Sequence, residues 1–304
     1  MSKEYFAKCR ICPRSCGVDR TAGQYGRCRV GAAPVLARAA LHAWEEPCLS
    51  GTRGSGTVFF SGCSLGCVFC QNREIAGGEA GIAVSPERLV EILCELQAAG
   101  AHNINFVTPT HYAPLLLDVI PAARRAGMTL PTVYNCGGYE SVETLRMLRG
   151  LIDIYLPDFK YADPALAARY SAAPDYPEVA RAAIAEMVAQ CGDPVLDGDG
   201  IMKRGVIVRH LMLPHAYRNS HDVLKYLATT YGDRIYLSLM NQYTPMPGIT
   251  ARFSELGETV SAKDYRRLVA YAVRLGVTRA FVQEEGTVGE SFIPPFDLSG
   301  VTKP

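Results

Sequence analysis

The sequence predicts an α/β fold: a partial (β/α)6 TIM-like barrel behind a small N-terminal cysteine-rich metal-binding segment. Three observations predict it. From Thr57 onward, short β-rich runs alternate with amphipathic stretches at helical spacing, the pattern of βαβ units around a parallel sheet. Six strand candidates occur with only a weak seventh, so six units fit better than eight. Eleven cysteines, an odd number grouped at spacings of two and three residues, read as metal ligation rather than a secreted disulfide framework.

Composition narrows the setting. The 304 residues can bury a large core. With 31 basic and 30 acidic side chains, nothing electrostatic points to nucleic acid or to an anionic membrane. Met1 to Tyr5 lack the apolar run of a signal peptide, and no apolar stretch approaches the roughly 18 residues of a membrane span. A reducing cytoplasm is the expected compartment.

Residues 1–56 read as a distinct segment. Cys9, Cys12, Cys16 and Cys28 stand at C-x2-C-x3-C-x11-C among turn-forming glycines, and four thiolates suffice for zinc or a second iron–sulfur cluster. Core residues 57–290 follow, with strands expected at 57–61, 103–107, 132–134, 152–156, 206–210 and 235–239, and a weak one at 279–282. The helices between them are punctuated: Ser85-Pro86-Glu87 is a cap, a first-turn proline and a first-turn acid, and Gly100 closes that helix. Leu89, Ile92, Leu93 and Leu96 form its apolar stripe. Further helices are expected at 114–126, 141–149, 177–191 and 220–231, and from Ser261 to before Gly276. The proline-bearing tail, 291–304, is expected to wrap over the core.

Chemistry in such barrels sits at the C-terminal strand ends. The first of these ends carries Gly62-Cys63-Ser64-Leu65-Gly66-Cys67-Val68-Phe69-Cys70. Three thiolates on a short glycine-bearing loop can hold three corners of an iron–sulfur cube, leaving one iron open for substrate. The remaining ends are polar too: Thr108-Pro109-Thr110-His111, Asn135-Cys136, Asp158-Phe159-Lys160, Arg209-His210 with His215, and Asn241-Gln242-Tyr243.

The C-x3-C-x2-C run with an aromatic before its last cysteine, at the end of a first strand, resembles the radical S-adenosylmethionine superfamily. The longer stretch from Gly56 to Asn72 resembles its PflX-type group, named for similarity to pyruvate formate-lyase activating enzyme. Blocks at Gly100–Asn105 with Thr108–His111, at 153–161 and at 208–211 support that narrower match. The resemblance implies a [4Fe–4S] cluster on Cys63, Cys67 and Cys70, with S-adenosylmethionine on the open iron. Reductive cleavage would give a 5′-deoxyadenosyl radical that takes hydrogen from a protein or small-molecule substrate, with glycyl-radical-enzyme activation the closest analogy. An electron donor such as flavodoxin or ferredoxin is implied.

By position, Asn105 and Thr108 would face the methionyl group, and Asn135 would reach it or the ribose. Asp158 and Lys160 match the Asp-x-Lys of the activating enzymes. Arg209 would lie over ribose or adenine, and Phe69 beside adenine. Plainer readings stand beside these: Asp158 and Lys160 as a surface pair, Arg209 bridging to a carboxylate such as Asp153, and His210 as a packed core histidine. His111 and His215 could be acid–base groups or substrate contacts, although a lone loop histidine is usually neither. Cys136 at a strand end could quench radicals or ligate, whereas Cys94 and Cys191 read as core residues. Gly77-Gly78-Glu79 matches a superfamily motif but lacks the strand that should precede it, so it reads as a turn. The rival from another class is a non-catalytic iron–sulfur or zinc protein that relays electrons or binds a partner.

Overall fold

In the computed structural model, which describes residues 3–283 and 293–303, the sheet begins in the N-terminal segment. Its strands are β1 (Val35–His42), β2 (Ser55–Phe60), β3 (Ile82–Ala83), β4 (Ile104–Val107) and β5 (Thr132–Cys136). They continue with β6 (Ile154–Pro157), β7 (Val195–Leu196), β8 (Met202–Leu211), β9 (Tyr236–Met240) and β10 (Ala280–Val282). β2, β4, β5, β6, β8, β9 and β10 run parallel in that order. All six expected strands are present, and the weak seventh adds a three-residue parallel strand at one edge. The partial β/α barrel expected from the patterning is the fold observed.

β1 departs from the expected layout. It pairs antiparallel with the outer side of β2, so the second half of the cysteine-rich segment lies within the core sheet. Its alanine-rich run, Val35-Leu36-Ala37-Arg38-Ala39-Ala40-Leu41-His42, carries little β propensity of its own, and pairing with β2 supplies the order. The sheet therefore continues across residue 56, and β2 itself opens at Ser55. The expected change from core to tail at 290/291 lies outside the described residues.

Helices cover the outer face. Ser85 Oγ accepts a hydrogen bond from Arg88 N at 3.1 Å and starts Pro86–Ala98, whose Leu89, Ile92, Leu93 and Leu96 are buried as the stripe predicts. Burying each such side chain contributes roughly 1.5–3 kcal/mol. Ala113–Arg125, Val142–Met147, Tyr176–Cys191, Tyr217–Tyr231 and Ala262–Arg274 fill the other expected positions. Pro164–Ser171 is an additional helix, capped by Asp163.

The tail lies along β1. Leu298 N donates to Ala37 O at 3.0 Å, Ala39 N donates to Ser299 O at 2.8 Å, and the Phe296 ring meets Phe59 edge-on at 5.5 Å.

Candidate active site

The cysteine loop is fixed from both sides. Gly62 turns it with φ of +89°, and a side chain there would bring a Cβ to 2.6 Å from the Cys28 carbonyl oxygen, so only glycine fits. Val68 N donates to Tyr170 O at 2.9 Å, and Cys70 N to Cys67 O at 3.2 Å. Arg14, between Cys12 and Cys16, donates to the carbonyls of Ser64 at 3.0 Å, Leu65 at 3.2 Å, Ser171 at 2.8 Å and Ala172 at 2.5 Å. The N-terminal segment thus holds the loop as well as preceding it.

Cys63, Cys67 and Cys70 line one cavity of about 600 Å³. Phe69, Thr108, Asn135, Asp158, Lys160 and Arg209 line the same cavity. The strands β2, β4, β5, β6 and β8 therefore bring together nine of the ten side chains assigned from sequence to cluster and cofactor. The volume suits a small-molecule ligand. Asn105 is the exception: it is fully buried behind the wall and donates from Nδ2 to Glu45 Oε1 at 3.0 Å. Phe69 is buried and meets Tyr161, Tyr170 and Tyr243 edge-on, each at 6.3 Å. Thr108 has φ of +57°, a left-handed conformation costly for a β-branched residue, and its N donates to Asn135 O at 2.8 Å.

The electrostatics are arranged in pairs. Lys160 Nζ lies 2.5 Å from Asp158 Oδ2. Burial alone would push the lysine down, but the Asp158 carboxylate overrides it and keeps the ammonium charged. The pair lines the cavity instead of standing on the surface. Burial disfavours the thiolate at both Cys67 and Cys70, pushing Cys67 up and Cys70 up to about 12. Three soft sulfur donors beside a fixed cation fit an iron–sulfur cluster, whose iron charge stabilises thiolates that burial disfavours.

Arg209 does bridge to carboxylates, as the plainer reading has it, but Asp153 is not among them. Asp153 accepts from Thr132 N at 2.9 Å and pairs with Arg124 at 3.5 Å, at the opposite strand ends. Arg209 instead binds the connector between β1 and β2. Its Nε donates to Glu46 Oε1 and its Nη2 to Glu46 Oε2, both at 2.7 Å, and Nη2 also contacts Glu45 Oε2. Burial works against the Glu46 charge, but Arg209 overcomes it and holds the carboxyl below its ordinary value. Sequence reasoning missed both acids. Two adjacent glutamates between an apolar strand and Pro47 were the available signal.

Two of the strand-end histidines, His210 and His111, are packed in the core. His210 donates from Nδ1 to Phe159 O at 2.7 Å and accepts at Nε2 from Ser220 Oγ at 2.8 Å, the packed role expected. His111 is buried and donates from Nε2 to Ser61 O at 2.8 Å. His215 is exposed and lies 3.1 Å from Glu258. Cys136 lines the cavity beside buried Glu140, whose carboxylate accepts from Thr110 Oγ1 at 2.7 Å and Tyr134 OH at 3.0 Å. Cys191 is buried, as expected of a core residue, while Cys94 is half-buried. Gly77 closes the short helix Arg73–Ala76, and Gly78 turns with φ of +80°.

Cys9, Cys12 and Cys28 are buried and Cys16 is exposed. Cys16 Sγ accepts from Arg27 N at 3.4 Å, and burial pushes Cys12 up to about 12. Among the described residues, no three His, Cys, Asp or Glu side chains are set to hold a single metal ion. A cubane spreads its ligands around a cluster, so that observation leaves the Cys63, Cys67 and Cys70 assignment intact.

Residues 57–194 match the family model described as the radical SAM superfamily. Over 255 residues the chain is 28% identical to an uncharacterized protein of Methanocaldococcus jannaschii, covering 81% of this chain and 68% of that one. Streptococcus suis SuiB bound to S-adenosylmethionine matches with a TM-score of 0.51 at 15% identity, over 74% of this chain and 49% of that one. Methylornithine synthase (PylB) matches with a TM-score of 0.52 at 15% identity, over 81% of this chain and 65% of that one. The chain thus spans about half the length of SuiB, and these two likenesses are of fold.

Proposed function

From a chain that carries a radical S-adenosylmethionine domain across residues 57–194, we propose an enzyme that abstracts hydrogen from a peptide segment of another protein. The radical SAM domain brings with it a [4Fe–4S] cluster and S-adenosylmethionine. What these supply together when bound is one-electron cleavage of the sulfonium, giving methionine and a 5′-deoxyadenosyl radical.

The observation that carries the reading is that Cys63, Cys67 and Cys70 share one cavity with Lys160, Asp158, Asn135 and Arg209. In this reading the three thiolates hold the cluster. Lys160 is the compact cation for the methionyl carboxylate, Asn135 and Thr108 donate and accept along the methionyl and ribose groups, and Phe69 lies beside adenine. The protein's contribution is to orient the nucleoside and exclude water. Trp44, 62% exposed, stands on the cavity wall with Phe281, apolar surface that suits a peptide loop. Activation of a glycyl-radical protein is the closest reaction of this class, with flavodoxin or ferredoxin as reductant and the cytoplasm as setting. Among the described residues, no helix is long and apolar enough to cross a membrane. Cys9, Cys12, Cys16 and Cys28 form a second, structural metal centre in this reading, supported by their spacing and by Arg14, which links that segment to the cysteine loop.

Anaerobic reconstitution with iron, sulfide, S-adenosylmethionine and dithionite tests the proposal. The expected product is 5′-deoxyadenosine, and its absence from protein with an assembled cluster would leave electron relay as the better reading. Anaerobic capture of a protein that gains a carbon-centred radical signal tests the substrate class.

A further inference from the structure

Among the described residues, the charges on the cavity wall do not cancel. Asp158 and Lys160 form one neutral pair. Glu46 spends both carboxylate oxygens on Arg209, at 2.7 Å each, and forms a second. Glu45 remains. Its Oε1 accepts from Asn105 Nδ2 at 3.0 Å and Asn135 Nδ2 at 3.4 Å, while Oε2 pairs with Arg209, so that one guanidinium answers two carboxylates.

Among the described residues, Arg209 is the one cation paired with Glu45. The Glu45 side chain is 6% exposed, so water does little for it. His42 also lines the cavity, but burial pushes its imidazole below the ordinary value and keeps it neutral near pH 7. Cys48, next along the connector, is pushed up to about 12 by burial and stays a thiol. Two buried carboxylates that share one guanidinium carry an excess negative charge, which is costly and persists where a bound cation offsets that cost.

We propose that Glu45 is the anionic anchor that makes this cavity select a cationic nucleoside, the sulfonium of S-adenosylmethionine, over its neutral thioether. The inference rests on the functional reading above and adds a specificity-determining residue to it. S-Adenosylmethionine carries sulfonium, ammonium and carboxylate, a net charge of about +1, whereas S-adenosylhomocysteine lacks the sulfonium charge and is close to neutral. A carboxylate fixed by two asparagines and an arginine needs no reorganisation when the cation arrives, so its charge acts on affinity directly. Bringing Glu45 from the β1–β2 connector makes the N-terminal segment part of the nucleoside site.

Two measurements on cluster-loaded protein test this. In anaerobic equilibrium dialysis, wild type should bind S-adenosylmethionine at least about tenfold more tightly than S-adenosylhomocysteine. Glu45→Gln keeps the shape and removes the charge. It should weaken S-adenosylmethionine about tenfold, leave S-adenosylhomocysteine within about twofold, and so reduce the preference by most of that factor. In thermal melts without nucleoside, Glu45→Gln should be as stable as wild type or more so, while Glu46→Gln should melt lower because it breaks the Arg209 pair. Equal weakening of both nucleosides by Glu45→Gln, or a melt as depressed as that of Glu46→Gln, would overturn the proposal and make Glu45 a structural partner of Arg209. Wild type that binds both nucleosides equally overturns the anchor alone; wild type that binds neither overturns the functional reading along with it. Should Glu45→Gln not fold, Glu45→Asp, which retains the charge, must retain the preference.

Discussion

Ser171 Oγ lies 3.0 Å from Cys67 Sγ, and Tyr161 OH lies 2.8 Å from the same hydroxyl. The helix Pro164–Ser171, which sequence patterning did not anticipate, therefore delivers a hydrogen bond to one of the three cysteines proposed to hold the cluster. Donors to cluster sulfurs stabilise the reduced, more negative state and raise the potential. Ser171→Ala should shift the cluster potential downward with no change in iron content. An EPR-monitored titration reads the shift, and an unchanged potential would remove Ser171 from the electronic environment of the cluster.

The cysteines should separate into two classes. Alanine at Cys63, Cys67 or Cys70 should abolish cluster iron and 5′-deoxyadenosine formation together. Loss of Cys9 or Cys12 should act first on stability or substrate turnover. Folded Cys9 or Cys12 variants that lose nucleoside cleavage as completely would give the N-terminal set a direct catalytic role. Iron, sulfide and zinc analysis of the same proteins identifies what that set binds.

Arg14 should matter more than a half-buried arginine usually does. Replacing it by methionine orphans four carbonyls on the cysteine loop and beside Ser171. The expected loss is on the order of 2–4 kcal/mol, given the strength of hydrogen bonds to charged donors and their partial exposure. Urea unfolding measures it, and faster removal of iron by a chelator should accompany it. Arg14→Lys should restore little, since an ammonium cannot reach both sides of the fork.

Acid should weaken the fold through its buried histidines. Burial lowers His111 from 6.5 to about 3 and His210 from 6.5 to about 4. Unfolded, both bind protons below 6.5; folded, they resist. Their contribution is therefore complete above pH 6.5 and is lost progressively as pH falls from there, the loss being complete near 4 for His210 and near 3 for His111. For His210 the loss is about 3 kcal/mol at about 1.4 kcal/mol per pH unit. Urea midpoints from pH 7 to pH 4 should fall, and His210→Asn, if folded, should flatten part of the slope. A flat wild-type profile would mean that both imidazoles protonate in place.

Much of this was legible in the sequence for identifiable reasons. The six strands and the caps at Ser85 and Ser261 are local signals: period, propensity and a side-chain oxygen three residues before an open N–H. The cavity's cysteines and its Asp158–Lys160 pair follow from the rule that chemistry gathers at strand ends. Glu45, Arg14 and Ser171 escaped because each works across the chain, 164, 50 and 104 positions from its partner. Nothing in the spacing of one segment encodes such a contact. β1 escaped for the opposite reason: its alanines speak too weakly alone, and β2 decides the matter.

The tail along β1 has a consequence for how the chain reaches this state. Arg38 and Asp297 are 259 positions apart, joined at 2.6 Å, in the zone where the backbone of Leu298 and Ser299 covers the part of β1 that β2 and β3 leave open. Contacts this distant in sequence form late and slow folding. Until they form, β1 presents free N–H and C=O groups to any neighbouring chain, as exposed edge strands do. Sealing that edge is a timing problem as much as a stability one: the interval between collapse of the barrel and arrival of the tail is when two copies can pair through β1. Crowded synthesis should favour that pairing, and tail truncation should make it permanent.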